Sequence, residues 1–202
     1  MADTIETLLE RIRELQKEIE ERIEARRQRF RYRLEHGRVV FDREIRHRHR
    51  ALKISLWPYV SRARLLTVLT APVIYSLIVP LVLLDVFVAI YQAVCFPAYG
   101  IPKVPRRDYI AIDRHRLQYL NALEKLNCVY CGYANGLLAL VSEIASRTEA
   151  YWCPIKHARK LRGTHARYPS FADYGDGESY RTRLAQLRAE LERMEREAGS
   201  AG

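Results

Sequence analysis

Hydrophobic residues recur at steps of three and four near both ends of this chain, among Glu, Arg and Lys. This period predicts an amphipathic helix at each end with a narrow apolar stripe. Two coiled-coil-like seams of this kind could pair with each other or with other chains, or they could pack on the protein as ordinary surface helices. The stripe residues are Ile5, Leu8 or Leu9, Ile12, Leu15, Ile19 and Ile23 at one end, and Leu184, Leu187, Leu191 and Met194 at the other.

An apolar run from Leu65 to Val94 contains one charged residue, Asp85, and two prolines, Pro72 and Pro80. Thirty helical residues would span about 45 Å, against about 30 Å of bilayer hydrocarbon. The run is therefore too long for one upright helix and too short for two. It predicts either a tilted, proline-kinked span or a re-entrant hairpin that breaks between Ser76 and Pro80.

Both flanks of the apolar run are basic, and cytoplasmic flanks are enriched in Lys and Arg. The symmetry favours the hairpin, with both ends in the cytoplasm. Ten arginines between Arg26 and Arg50 form a further basic segment, and a net charge of +10 predicts an anionic partner. The apolar run makes anionic lipid headgroups the expected partner and nucleic acid an unlikely one. The flanking cations are Arg46, Arg48, Arg50, Lys53, Arg62 and Arg64 before the run, and Lys103, Arg106, Arg107, Arg114 and Arg116 after it.

Three prolines between Phe96 and Pro105 predict an extended connector after the membrane segment. Beyond it, the helical period returns from Asp113 to the first cysteine, and a second helix is expected from Gly136 to Glu149. Glycines and a proline between residues 158 and 179 predict a loop.

Three cysteines and a histidine follow the spacing C-x2-C-x21-C-x3-H, at Cys128, Cys131, Cys153 and His157. Two thiolates three residues apart can bind one ion, and a second pair from a distant segment completes the tetrahedron of a structural zinc site. Gly132 would permit the tight turn that follows the second thiolate. Two alternatives stay open, a redox-active dithiol and buried core cysteines.

The segment from Cys128 to Tyr133, Cys-Val-Tyr-Cys-Gly-Tyr, resembles the first metal-binding knuckle of rubredoxins, and Cys153-Pro154 resembles the opening of the second. Lys156 stands where the fourth rubredoxin cysteine would be. The resemblance implies a knuckle that binds zinc or iron. Together with Trp152-Cys153-Pro154-Ile155-Lys156-His157, the segment is also similar to an uncharacterised family of small bacterial membrane proteins, which implies a membrane location and no particular activity.

Ionisable residues near these motifs offer further candidate chemistry. Asp85 is a functional-site candidate, because an ionisable group in an apolar environment is costly and usually faces protein or water. It could equally be an interfacial residue at the end of a hairpin helix, or pair with a cation of a neighbouring segment. Polar residues close to the cysteines could supply acid, base or anion-binding groups, and ordinary surface positions explain them as well: Asp113, Arg114, Glu124, Glu143, Glu149 and Lys156. No Ser-His-Asp order, phosphate-binding loop or H-E-x-x-H motif is present.

The sequence thus predicts a mainly α-helical protein with a membrane-embedded hairpin or kinked span, terminal amphipathic helices and a small metal-stapled helical domain. It predicts the location as a bacterial inner membrane, with the soluble part in the cytoplasm. The expected function is a metal-binding scaffold or subunit of a larger membrane assembly, with a protein partner or homo-oligomer formed through the terminal helices. The alternative is a membrane enzyme or electron-transfer protein that uses iron or catalytic zinc on a lipid or quinone-like substrate. The expected segments are a helix over 1–36, a basic interfacial segment over 37–64, the embedded segment over 65–97, the Cys/His domain over 98–162, a loop over 163–178 and a helix over 179–202.

Overall fold

The computed structural model describes residues 5–29, 32–35 and 38–200 and is mainly helical, as predicted. The main chain forms two short strands and seven α-helices in these described residues. The elements are α1 Ile5–Arg29, β1 Tyr32–Glu35, β2 Arg38–Phe41, α2 Arg43–Ala51, α3 Leu56–Ser61, α4 Leu65–Ser76, α5 Ile78–Tyr99, α6 Ala122–Trp152 and α7 Gly177–Ser200.

The first helix is shorter than the predicted 1–36 segment, because α1 ends at Arg29 and an antiparallel strand pair follows. In this pair Tyr32 is opposite Phe41 and Leu34 is opposite Val39. Aromatic and β-branched residues favour strands, and the basic composition of this region concealed that signal. The strand pair belongs to the first of two compact units, which comprises Met1–Arg62 and Asp113–Leu126.

Within this first unit, the ring of His49 packs edge-on against Phe41 and Tyr119, with centroid separations of 5.2 and 5.1 Å. The start of α6 is capped reciprocally. The side chain of Asn121 accepts from the N–H of Glu124 at 3.0 Å, and the Glu124 carboxylate accepts from the N–H of Asn121 at 2.8 Å. This is the capping-box arrangement, and it fixes the beginning of α6.

The second unit comprises Ala63–Ile112 and Asn127–Gly202 and contains the apolar run. A single residue, Leu77, separates α4 from α5, and its dihedral angles of −63° and −14° are right-handed helical. One residue in this conformation cannot reverse the chain, so α4 and α5 continue in one direction and no hairpin forms between Ser76 and Pro80. The helix does break at the predicted place.

The extended connector begins later than predicted, because α5 continues through Pro97 to Tyr99. Gly100 ends the helix with a φ of +65°, and the N–H of Ile101 donates to the carbonyl of Phe96 at 2.9 Å. This is the hydrogen bond of a Schellman cap, for which glycine is the usual residue. From Gly100 the chain turns back along α5, where the N–H of Val104 donates to the side chain of Gln92 at 2.7 Å.

The two helices expected around the cysteine motif are one continuous helix, α6. Its residues in the second unit run beside α4 and α5 in the same direction. Three hydrogen-bonded side-chain pairs show this arrangement, because the residue numbers in both segments increase from one pair to the next. The pairs are Tyr75 with Asn127, Asp85 with Tyr133, and Tyr91 with Thr148. A Cβ atom at Gly136 would lie 2.7 Å from the carbonyl oxygen of Tyr109, so glycine permits the returning chain to contact α6 closely.

The core of the second unit forms where α5, α6 and α7 meet. The predicted stripe of α7 is buried here, with Leu184, Leu187 and Leu191 each less than 10% exposed. The C-terminal stripe therefore packs within the chain and is not a free surface for a partner helix. The core residues are Phe96, Ile101, Val104, Leu137, Leu140, Ile144, Ala150, Phe171, Leu187 and Leu191.

Candidate functional site

The first two predicted metal ligands, Cys128 and Cys131, lie one turn apart within α6. Cys131 is exposed and Cys128 is partly buried. Gly132 is a buried helical residue, and it is not among the glycines with positive φ. The tight turn that a rubredoxin-like knuckle requires is therefore not formed at this position.

The other two predicted ligands, Cys153 and His157, follow the C-terminal end of α6. Cys131 and Cys153 are 22 residues apart along a helical segment that rises about 1.5 Å per residue, which places them about 33 Å apart. Zinc–sulfur bonds are about 2.3 Å long, so one ion cannot bind both while α6 is continuous. In the part of the chain that the structure describes, no group of three or more His, Cys, Asp or Glu side chains could hold a metal ion. The zinc site, with iron as its alternative, stays a prediction.

The polar residues around the first cysteines bind α6 to the apolar helices. The hydroxyl of Tyr130 donates to the carbonyl of Ile74 at 2.9 Å, and the hydroxyl of Tyr75 donates to the side chain of Asn127. The rings of Tyr75 and Tyr130 also pack edge to face, with centroids 5.9 Å apart. The motif therefore has a structural role in helix packing, which its spacing alone did not indicate.

The charge of Asp85 is paired with a cation of a neighbouring segment, which is one of the alternatives predicted for it. Its carboxylate accepts from both terminal nitrogens of Arg106, with one distance of 2.7 Å, and from the hydroxyl of Tyr133 at 2.8 Å. These hydrogen bonds to Asp85 raise the pKa of Arg106, so the guanidinium stays charged. Beside the pair is a cavity of about 160 Å³ that Gln92 and Lys103 also line.

A partly buried ionic cluster around Glu143 of α6 was not predicted as a unit. The carboxylate of Glu143 accepts from Arg147 at 2.8 Å and from Arg167 at 2.7 Å, and Arg147 donates to the carbonyl of Pro102 at 2.6 Å. Arg167 also donates to the hydroxyl of the buried Ser146 at 3.0 Å. The i, i+4 spacing of Glu143 and Arg147 was a usable signal. A carboxylate held by two guanidiniums is a structural anion and not a proton donor.

Tyr109 lies close enough to this cluster for its charges to act on the tyrosine hydroxyl. Burial raises the pKa of that hydroxyl, and the negative charge of Glu143 raises it further. Tyr109 is therefore protonated at neutral pH and can act only as a neutral group.

The end of α6 is joined to the loop that follows it by a second set of polar contacts. His165 contacts the Glu149 carboxylate at 2.9 Å, and Lys156 pairs with Asp173 at 2.8 Å. The N–H of His157 donates to the hydroxyl of Tyr168 at 2.7 Å. The polar residues around Cys153 therefore attach the following loop to the end of α6. Among the described residues the thiol of Cys153 has no such contact, and it lines an open apolar groove.

This groove has a volume of about 470 Å³ and lies between α5 and α6. Apolar and aromatic side chains line most of it, with Glu149 and Cys153 toward the C-terminal end of α6. The lining residues are Val88, Tyr91, Val141, Ile144, Ala145, Thr148, Glu149, Trp152 and Cys153.

A further candidate surface is the outward face of α4 and α5, whose apolar side chains are left exposed by the residues that the structure describes. Leu66 is 74% exposed and Phe87 is 69% exposed, whereas Tyr75, Leu81 and Val88 on the opposite face are partly buried. We call this surface the apolar face. Its residues are Leu65, Leu66, Leu69, Val73, Val79, Val82, Leu83, Val86, Phe87, Ile90 and Val94.

No family model matches the chain, and neither a curated protein nor a solved structure matches it. Fold and surface therefore define the class: a mainly helical protein in which two helical segments are long and apolar enough to cross a membrane. These are Leu65–Tyr99, with a mean hydropathy of 2.6, and Ala122–Trp152, with a mean hydropathy of 1.3. The second segment contains the paired charges of Glu143 and Arg147 and contributes to the protein core.

Proposed function

We propose that this protein is a membrane-anchored scaffold or a subunit of a larger membrane assembly, and that the apolar face of α4 and α5 is its anchor. The observation that carries the proposal is the exposure of this face along the helical segment from Leu65 to Val94. Exposed apolar patches of this extent are typical of membrane or protein interaction sites. Lipid is the partner that fits a continuous aliphatic surface with basic residues at both ends.

The arrangement of α5 supports an anchor that is embedded along one side only. Asp85 lies three residues from the midpoint of Leu65–Tyr99, and the returning chain brings Arg106 to it there. In an upright crossing this ion pair would lie near the centre of the bilayer, where charges are costly. With the helix lying along the membrane, the apolar face contacts lipid and the polar face stays against α6. We therefore favour in-plane embedding over a crossing.

The basic flanks support a cytoplasmic orientation, as lipid headgroups on that side are more anionic. Arg62 and Arg64 precede the anchor, and Lys103, Arg106 and Arg107 follow it. The inner membrane of a bacterium is the location that we propose. A metal site at the cysteines remains part of this proposal as a separate element, since anchoring does not depend on it.

Membrane fractionation tests the anchor. High salt screens headgroup attraction and leaves apolar insertion intact, so the wild-type protein should stay in the membrane fraction in 1 M salt and leave it in detergent. The variant Leu66→Asn/Leu83→Asn/Phe87→Asn changes three residues of the apolar face. We expect its membrane partitioning to fall by about 100-fold or more, since each buried large apolar side chain contributes about 1.5–3 kcal/mol.

The matched control is Leu126→Asn/Ile155→Asn/Tyr174→Asn, which changes three exposed apolar side chains outside α4 and α5. This control should stay with the membrane. Release of the wild-type protein by salt, or equal behaviour of both triple variants, would refute the proposed anchor.

The groove between α5 and α6 favours a second candidate function, an enzyme or electron-transfer protein that acts on a lipid or quinone-like molecule. Its apolar lining suits such a ligand, and Glu149 and Cys153 lie near one end. Iron or catalytic zinc would supply the chemistry in this alternative. Visible absorption by purified protein would support iron bound by thiolates, and a colourless, metal-free protein that binds no quinone would exclude this function.

A further inference from the structure

The apolar stripe of α1 is exposed along the described helix, in contrast to the buried stripe of α7. Leu8, Ile12, Leu15 and Ile19 are between 46% and 56% exposed. A helix with an uncovered apolar stripe is marginal in water by itself and gains most of its stability from packing. The residues that the structure describes leave the stripe of α1 uncovered, so the stripe is available to a partner helix.

The order of residue types along the stripe specifies the number of helices. In heptad notation Ile5, Ile12 and Ile19 occupy position a, and Leu8 and Leu15 occupy position d. Isoleucine at a with leucine at d favours two parallel strands over three or four. We call these five residues the α1 seam.

The seam ends where its heptad register ends. The next d position is Arg22, which pairs with Glu18 of its own helix at 2.5 Å, and the next a position is Arg26. The seam is thus about 21 Å long over its 14 residue steps. A pairing of this length is weak, so it should depend on protein concentration.

The charges of α1 favour a helix over a lipid surface as partner. Helices that lie on anionic membranes are rich in Lys and Arg on the polar face. In Ile5–Arg29 seven basic residues are balanced by seven acidic ones, so the net charge is zero. The acidic residues are Glu6, Glu10, Glu14, Glu18, Glu20, Glu21 and Glu24, and the basic ones are Arg11, Arg13, Lys17, Arg22, Arg26, Arg27 and Arg29.

We propose that α1 pairs with α1 of a second copy of this chain in a parallel, two-stranded coiled coil. The partner is a second copy because the residue types of the seam select two strands, and an identical helix supplies the same a and d layers on both sides. This inference goes beyond the proposed anchor and does not rest on it. The apolar face and the α1 seam are different residues, and their tests have different readouts.

The molar mass of the full-length protein in detergent tests the pairing, measured by light scattering or sedimentation across a concentration series. The wild-type protein should form dimers. The variant Ile12→Glu/Leu15→Glu should weaken dimerisation by about 100-fold, because it places charges in two apolar layers. The control Arg13→Gln/Lys17→Gln makes the same change of two charge units outside the seam and should leave the dimer intact.

Helix orientation is tested with a photo-reactive residue at position 8 of the full-length chain. A parallel dimer predicts cross-links to residues near position 8 of the partner, as identified by peptide mapping. Cross-links near position 19 would show an antiparallel pair and overturn the proposal. A monomer at all concentrations, or a dimer that survives Ile12→Glu/Leu15→Glu, would overturn it as well. Membrane fractionation of the same variants should be unchanged, which keeps this result separate from that for the anchor.

Discussion

The hydroxyl of Tyr133 donates a hydrogen bond to the carboxylate of Asp85, with 2.8 Å between the two oxygens. This contact joins α6 to the middle of the most apolar helical segment, and Arg106 from the returning chain completes it. Three elements that are distant in sequence thus share one carboxylate. The relationship explains why the only charged residue of the apolar run is tolerated there.

Removing the guanidinium of Arg106, which pairs with Asp85, should destabilise the second unit. The side chain of Asp85 is 16% exposed and that of Arg106 is 50% exposed, so solvent screening limits the effect. We expect Arg106→Met to lower the free energy of unfolding by about 1–2 kcal/mol, because it leaves a mostly buried carboxylate with one donor. Thermal unfolding in detergent measures this loss. Arg107→Met, at an exposed neighbouring arginine, should have no effect, and an equal loss in both variants would contradict the assignment.

The contact of α6 with the returning chain predicts that Gly136→Ala is strongly destabilising. The added Cβ would lie 2.7 Å from the carbonyl oxygen of Tyr109 and 2.9 Å from the Cα of Ile110, both of which are backbone atoms that move only with the chain. We expect a loss of about 1–3 kcal/mol in stability. Gly177→Ala, in α7 with open space around it, should be neutral or slightly stabilising. Comparable unfolding temperatures for the two variants would show that the close approach is absent.

The continuity of α6 leads to an expectation for the metal content of the cysteine variants. Cys131 and Cys153 cannot bind the same ion while α6 is unbroken, so Cys153→Ser should leave any metal bound near Cys131 in place. Elemental analysis of purified wild-type protein, Cys131→Ser and Cys153→Ser tests this. If the wild-type protein instead carries one zinc per chain that either variant loses, together with part of its helix content, the four-residue site exists and α6 must open to form it.

In-plane embedding predicts that both termini lie on the same side of the membrane. Tags at the N- and C-termini should then both be degraded by protease in inside-out vesicles and both be protected in right-side-out ones. A known single-span protein in the same vesicles serves as the control for sidedness. Protection of one tag and degradation of the other in the same vesicles would show that α4 and α5 cross the bilayer.

The start of α7 provides a prediction for acid stability. Hydrogen bonds from the hydroxyl and the N–H of Ser179 lower the pKa of Asp176. A carboxyl with a lowered pKa in the folded state stabilises the protein above its unfolded pKa of about 3.9, and this contribution is lost as the pH falls through the folded value. Asp176→Asn keeps an acceptor at every pH. The difference in unfolding temperature between the wild-type protein and Asp176→Asn should therefore change below about pH 4 and be constant above pH 5.

Local periodicity was enough to predict several elements of this fold. The amphipathic pattern of α1, the apolar run of α4 and α5, and the mainly helical class all depend on the spacing of residues within one helix. The break near Leu77 was predicted for the same reason, because Pro80 lies at the start of α5 and its effect is local. The two amphipathic stripes at the termini were also correct as sequence patterns.

Only the tertiary structure decided which part of the protein, if any, packs against each of these helix faces. The stripes of α1 and α7 look alike in sequence, yet Ile12 is half exposed and Leu187 is buried, because α7 packs on the apolar core of the second unit. Likewise, Cys128 and Cys131 have the spacing of a metal knuckle, but the helix continues through them.

Three contacts lie along this part of α6, where Tyr130 and Tyr133 bind the apolar helices and Gly136 approaches Tyr109. Each of these contacts joins residues more than 20 positions apart. The spacing of residues along a single segment determines which face of a helix each residue occupies. The sequence by itself therefore determined where the helices form and which of their faces are apolar. Which surface meets that face depends on how the segments pack, and only the tertiary structure decided that.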